Sequence, residues 1–156
     1  MAENHFEERV RVVRAALGDL PGRVELIFLR RTLNSGGSYV RATGVAVPAR
    51  HEVQDVECLV LDDYLLRRPV SFIKIDVEGS EPRVFRGARR LLSEDRPIIL
   101  SELLPIQLAQ VSGCTPGDFI AEMDGCGYRC HALEDGQPGR WVTSVDELTS
   151  VVFLPK

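Results

Sequence analysis

No apolar run in this chain approaches the roughly 20 residues that a bilayer span requires, and the opening Met1-Ala2-Glu3-Asn4-His5 is too polar for the apolar core of a secretory signal. Neither a membrane span nor a secretory leader is therefore expected, and the cytoplasm is the expected location. Lysine is nearly missing. Lys74 and Lys156 are the only two, so almost all positive charge is arginine, and the formal net charge is −4. Without a basic surplus the surface is ill-suited to phosphate backbones, and no nucleic-acid partner is expected. Cysteine is sparse too: Cys58, Cys114, Cys126 and Cys130 are spread over 156 residues. A chain that long folds without staples, which argues against a disulfide framework. Cys126, Cys130 and His131 lack the close spacing of a zinc knuckle, so ordinary reduced thiols are expected and no metal is assigned to them. Internal repeats and low-complexity tracts are absent as well.

What is present is 44% hydrophobic content, enough for one core, and a single domain over residues 1–156 is expected. The organising stretch is SFIKIDVEGSE, residues 71–81. Its short run of aromatic and β-branched residues predicts a largely buried strand. Strand alternation puts Phe72, Lys74, Asp76 and Glu78 on one face and Ile73, Ile75 and Val77 on the other. The acids thus collect at the strand's carboxyl end, where open α/β sheets bind ligands.

Before that strand, Val10, Val12 and Val13, then the glycines and proline of residues 18–22, then residues 24–29 suggest a hairpin-like pair. Residues 30–50, with Asn34-Ser35-Gly36-Gly37-Ser38 and Gly44, suggest a long loop with at most one short strand near Val45 and Val47. An ordinary surface loop is expected there, because no helical pattern follows the glycines. A strand over residues 53–61 and a short helical turn opened by Asp62 and Asp63 come next. After the central strand, Ser80 and Pro82 open a helix whose stripe is Val84, Phe85, Ala88, Leu91 and Leu92, with Arg83, Arg86, Arg89 and Arg90 on a solvated face. A second buried strand over residues 97–100 leads to Glu102. A helix near residues 105–111, another capped by Thr115, a strand over residues 128–133, turns at Asp135-Gly136 and Pro138-Gly139, and a last strand over residues 151–154 complete the pattern. Alternating strands and helices predict an α/β fold with a largely parallel sheet, the last strand being free to enter antiparallel.

The run IKIDVEGSE from Ile73, then Val84, Arg86-Gly87-Ala88 and Arg96-Pro97-Ile98-Ile99-Leu100-Ser101-Glu102, resembles the hallmark segment of the FkbM family of S-adenosylmethionine-dependent methyltransferases. Ala15-Ala16-Leu17-Gly18-Asp19, the Asn34 to Ser38 loop, Leu61-Asp62-Asp63, Gly127-Tyr128 and Phe153-Leu154-Pro155 follow in the order such proteins show. The resemblance implies a Rossmann-like class I methyltransferase fold, with S-adenosylmethionine as cofactor and methyl transfer to a hydroxyl of a small molecule, sugar or lipid. The family's glycine-rich cofactor turn has no counterpart here, so cofactor-binding residues are not assigned, and the chain is expected to match the carboxyl-terminal two thirds of the domain, truncated on its amino-terminal side. By the same resemblance Asp76 orients the acceptor or removes its proton, with Glu78 and Glu102 as companions; Glu81 is expected to start the helix, where its charge meets the positive end of the dipole. As oxygen ligands, Asp76, Glu78 and Glu102 would also suit magnesium, although no metal is predicted. His51 and His131 are expected to be ordinary surface or core histidines.

Two other readings stand beside this one. Asp76-Val77-Glu78 could hold a metal and a nucleotide sugar, as in some glycosyltransferases, or the domain could be a non-catalytic interaction module. With the family's first strands absent, the central strand is expected at a sheet edge, and either a second copy or a rearranged segment 9–29 should cover it.

Overall fold

The computed structural model describes residues 8–29, 37–42, 44–64 and 68–156. It contains two sheets. The first is built from β1 (Ala16–Gly18), β2 (Gly22–Leu29), β3 (Tyr39–Val40) and β4 (His51–Val60), in the order β1-β4-β2-β3. β2 and β4 form a long antiparallel pair from Gly22↔Cys58 to Leu29↔His51, and β1 lies parallel on the other side of β4. The expected hairpin between residues 9–17 and 24–29 is therefore not what forms. Val10, Val12 and Val13 stay exposed outside any strand, and both neighbouring segments take β4 as their partner. The reason is length: the ten residues of β4 offer two full edges, whereas β1 is three residues long. The short strand in the long loop is Tyr39–Val40 rather than the Val45 to Val47 stretch. The Asn34 to Gly36 portion, and Leu65 and Leu66 of the acid-opened turn, lie outside the described residues.

The second sheet carries the core. Its strands are β5 (Phe72–Ile75), β6 (Ile98–Leu103), β7 (Tyr128–Glu134), β8 (Gln137–Trp141) and β9 (Thr149–Pro155), in the order β5-β6-β9-β7-β8. β5 and β6 pair in parallel, while β9 sits between β6 and β7 and runs antiparallel to both. β5, β6 and β7 thus all point the same way, as the alternation of strands and helices requires. The largely parallel sheet expected from that alternation is nevertheless a mixed one, because β9 separates β6 from β7. Val151, Val152 and Phe153 explain the placement: all are at most 5% exposed, so this segment must be covered on both faces and takes the sheet's middle. Pro138 and Gly139 form part of edge strand β8 instead of a turn, a location that tolerates a residue with no N–H to donate.

One face of this sheet is covered by helices. α1 (Glu81–Arg86) and α2 (Arg89–Glu94) bury Val84, Phe85, Ala88, Leu91 and Leu92, the whole expected stripe. They are two helices rather than one, because Gly87 presses on the backbone of Gly18, where any Cβ would collide, and its carbonyl accepts from Asp62 N at 2.8 Å. Asp62 then caps α2 from outside, its carboxylate accepting from Arg90 N at 2.7 Å and Leu91 N at 2.9 Å. The arginines do not form a simple solvated face. Arg83 donates to the Val111 carbonyl, and Arg86 and Arg89 both pair with Glu122.

Glu122 belongs to α4 (Pro116–Gly125), which opens with the capping box Thr115/Asp118 that the sequence signals. Its Phe119 packs between Phe85, at 6.1 Å between ring centroids, and Phe153, at 5.5 Å edge-on. A short helix α3 (Pro105–Gln107) continuing as a π-turn over Leu108–Ser112 links β6 to α4. Among the described residues no helix is long and apolar enough to cross a membrane.

Candidate functional site at the carboxyl ends of β5 and β6

The helix-covered face takes Ile75, Ile99 and Leu103, so alternation turns Phe72, Lys74 and Asp76 to the other face. There Phe72 is 54% exposed and the Asp76 side chain 44% exposed, with Lys74 Nζ 3.0 Å from the Asp76 carboxylate. The strand is therefore buried on one face only. Ile75 pairs with Ser101 as the last rung of the β5–β6 ladder, and Asp76 and Glu102 are the residues that follow these two in their segments. Glu102 is exposed on the same open face.

Beyond Asp76 the chain reverses tightly. Glu78 takes φ 51° and Gly79 φ 93°, and Ser80 N closes the turn on the Val77 carbonyl at 3.2 Å. Glu78 is half-buried within this turn. Gly79 is required twice over: its φ lies in the left-handed region, and a Cβ there would stand 2.5 Å from the Gln107 carbonyl oxygen. Ser112 Oγ donates to the Gly79 carbonyl at 2.5 Å, so the π-turn segment clamps the turn from above.

Glu81 does begin the helix, but as a core residue only 1% exposed. Its Oε1 accepts from Val77 N at 3.2 Å, while Oε2 has no partner among the described residues. Burial pushes its carboxyl group upward. The backbone N–H groups of Glu81, Val77 and Gly79 pull the other way, and the Asp76 charge adds slightly to the rise. Ser80 Oγ and Ser101 Oγ are likewise buried without a partner among the described residues. These buried polar groups escape a reading based on charge runs. Helical spacing could have found Glu81, since positions 81, 84, 85 and 88 share one face.

Cavities among the described residues lie elsewhere. One of about 180 Å³ opens between β1, β4 and the start of α1, where Asp19, Cys58, Ser80 and Arg83 meet; burial, then Asp19, push the Cys58 thiol up, and Arg83 opposes them. Another lies against the β1–β4 sheet beside Arg23 and Asp55, and a third beside Asp62 and Arg90. None of these is lined by Asp76, Glu78 or Glu102. Among the described residues no cluster of three or more His, Cys, Asp or Glu side chains has the arrangement of a metal site. Cys130 is buried, which pushes its thiol up to about 12, and all four cysteines are free.

A mixed α/β domain with carboxylates at the ends of two adjacent parallel strands has the layout of proteins that seat small ligands there. Comparison with known proteins makes this specific. The Methyltransferase FkbM domain matches residues 3–130, most of the chain, and the chain belongs to that family. No curated protein matches the sequence. Among solved structures it is similar to methyltransferase FkbM from Methylobacillus flagellatus KT, at 20% identity and a TM-score of 0.49; the match covers 97% of this chain and 30% of that one. The chain thus spans less than a third of that protein's length. The open strand ends offer the carboxylates of Asp76 and Glu102 to a ligand.

Proposed function

We propose that this chain is an S-adenosylmethionine-dependent methyltransferase acting on a hydroxyl of a small molecule, sugar or lipid, and that Asp76, Glu78 and Glu102 serve the acceptor. Membership of the FkbM methyltransferase family supports the reaction class. The observation that carries the site is the pairing of Ile75 with Ser101, after which Asp76 and Glu102 follow on two adjacent parallel strands. S-adenosylmethionine, when bound, supplies a methyl group already activated on a sulfonium. What remains for the protein is to hold the acceptor oxygen in line and to take its proton.

Asp76 is the proton acceptor in this reading, steadied by Lys74. Glu102 hydrogen-bonds a neighbouring hydroxyl, and Glu78 sits at the rim of the turn. The turn itself is rigid, because Gly79 is fixed from both sides by Gln107 and Ser112. Rigid support of this kind is what orientation of a reacting group needs.

Calorimetric titration of the folded chain with S-adenosylmethionine tests the proposal. Heat of binding from the chain is the expected result, with Asp76→Ala keeping that heat and its circular dichroism spectrum but losing methyl transfer to hydroxyl acceptors. No heat from a well-folded sample would overturn it and leave a non-catalytic domain.

A further inference from the structure

Asp76 stands just past the β5–β6 ladder, whose last rung is Ile75 with Ser101. What fixes the backbone on its far side is Val77. The Val77 N–H donates to Glu81 Oε1 at 3.2 Å, and the Val77 carbonyl accepts from Ser80 N at 3.2 Å. A peptide group is planar, so holding the Val77 N–H also sets the direction in which the Asp76 backbone leaves the strand. The N–H groups of Gly79 and of Glu81 itself favour the charged form of the same carboxyl group. An ionised acceptor holds an N–H about twice as strongly as a neutral one. Yet Glu81 is only 1% exposed, and a carboxylate buried that deeply costs stability. For the fold alone a neutral side chain of the same shape would serve better.

We propose that Glu81 is the positioning residue for Asp76: its ionised carboxylate latches the Val77 N–H and so fixes Asp76 at the strand end, and protonation of Glu81 slackens the latch. The role of Asp76 rests on the function proposed above; the latch itself does not. The surroundings leave the Glu81 charge uncancelled. Asp76 at the end of β5 and Cys114 ahead of α4 both lie within its electrostatic reach, and Glu78 belongs to the same turn. Lys74 is engaged with Asp76. On α1 itself, Arg83 turns to the Val111 carbonyl and Arg86 to Glu122. From β6 the buried neighbour of Ile75 is the uncharged Ser101. The latch is therefore closed above the folded pKa of Glu81, which burial raises, and slackens below it.

Nuclear magnetic resonance of the chain labelled with 15N and with 13C at carboxyl carbons tests this. The Val77 amide proton should move downfield as pH rises, with the same midpoint as the Glu81 carboxyl carbon, above 4.5. In Glu81→Gln, which keeps the shape without the charge, the Val77 amide should stay near the parent's acid-limit position at every pH. In Asp76→Asn the Val77 titration should persist with a lower midpoint, because a negative neighbour has gone. At neutral pH, methyl transfer to hydroxyl acceptors by Glu81→Gln should be slower than the parent's by about tenfold or more, as misplacement of a reacting group demands, although the variant is the more stable protein. The latch is overturned by a Val77 amide that ignores the Glu81 titration, by one that still titrates in Glu81→Gln, or by a Glu81→Gln chain as fast as the parent. Absence of heat with S-adenosylmethionine would remove the proposed function alone, and the amide titration would still decide on the latch.

Discussion

Replacing Gly79 by alanine tests whether the turn after β5 is clamped. At φ 93° an alanine incurs the left-handed strain of ~1–2 kcal/mol. Its Cβ would also lie 2.5 Å from the Gln107 carbonyl oxygen and 2.6 Å from the carbonyl carbon. Those are backbone atoms with no rotamer to escape by, so the segment opening the π-turn must move, which as overpacking costs about 1–3 kcal/mol. Such a shift also loosens the hydrogen bond from Ser112 Oγ to the Gly79 carbonyl, worth about 1 kcal/mol. The sum is about 3 kcal/mol or more, a large share of the ~5–15 kcal/mol typical of a domain.

Gly113 provides the control. It too is left-handed, at φ 67°, but a Cβ there meets nothing within 4 Å, so Gly113→Ala should cost only the strain of ~1–2 kcal/mol. Urea unfolding of both variants, with m unchanged, measures the difference. If the two substitutions agree within ~0.5 kcal/mol, the clamp does not exist and the rigidity assigned to the Asp76 turn is wrong.

Two further outcomes follow from charges placed by the fold. Because the Glu81 carboxyl is raised above its ordinary 4.5, the folded chain holds that proton where the unfolded chain has released it, so stability falls as pH rises from about 4.5 through the folded value. Glu81→Gln removes this loss: it should be more stable than the parent by about 1–3 kcal/mol at neutral pH, with the advantage gone in unfolding measurements below pH 4.5, and an equal advantage at both pH values would refute the assignment. Asp62→Ala leaves the Arg90 and Leu91 amides uncapped and should cost about 1–2 kcal/mol together with helical ellipticity; a loss of stability without loss of helix would point to another role for Asp62.

Periodicity revealed the parts of the fold that depend on local pattern. Ile75, Val84, Phe85, Ala88, Leu91 and Leu92 are all buried as spacing demands, and the Thr115/Asp118 box caps α4 where the sequence announces a helix. Pairing over long separations was not legible in that way. β1 finds Cys58 to Val60 some forty residues away, and β9 enters between β6 and β7 because its two-sided apolarity requires cover, which a strand-by-strand reading does not weigh. At the site, alternation placed Asp76 with Lys74 on one face, and the ladder shows that β6, which carries the expected companion Glu102, is the strand adjacent to β5. The burial of Glu81 was missed because an acid at a helix start has an adequate local explanation in the dipole.

The position of β9 also bears on how the domain is assembled during synthesis. The rung that joins β5–β6 to β7–β8 is the last of the five to leave the ribosome, so the earlier strands wait as two separate half-sheets until residues 149–155 arrive to zip them together. In that interval Ile99 and Cys130, both destined to face Phe153, lack their shared neighbour.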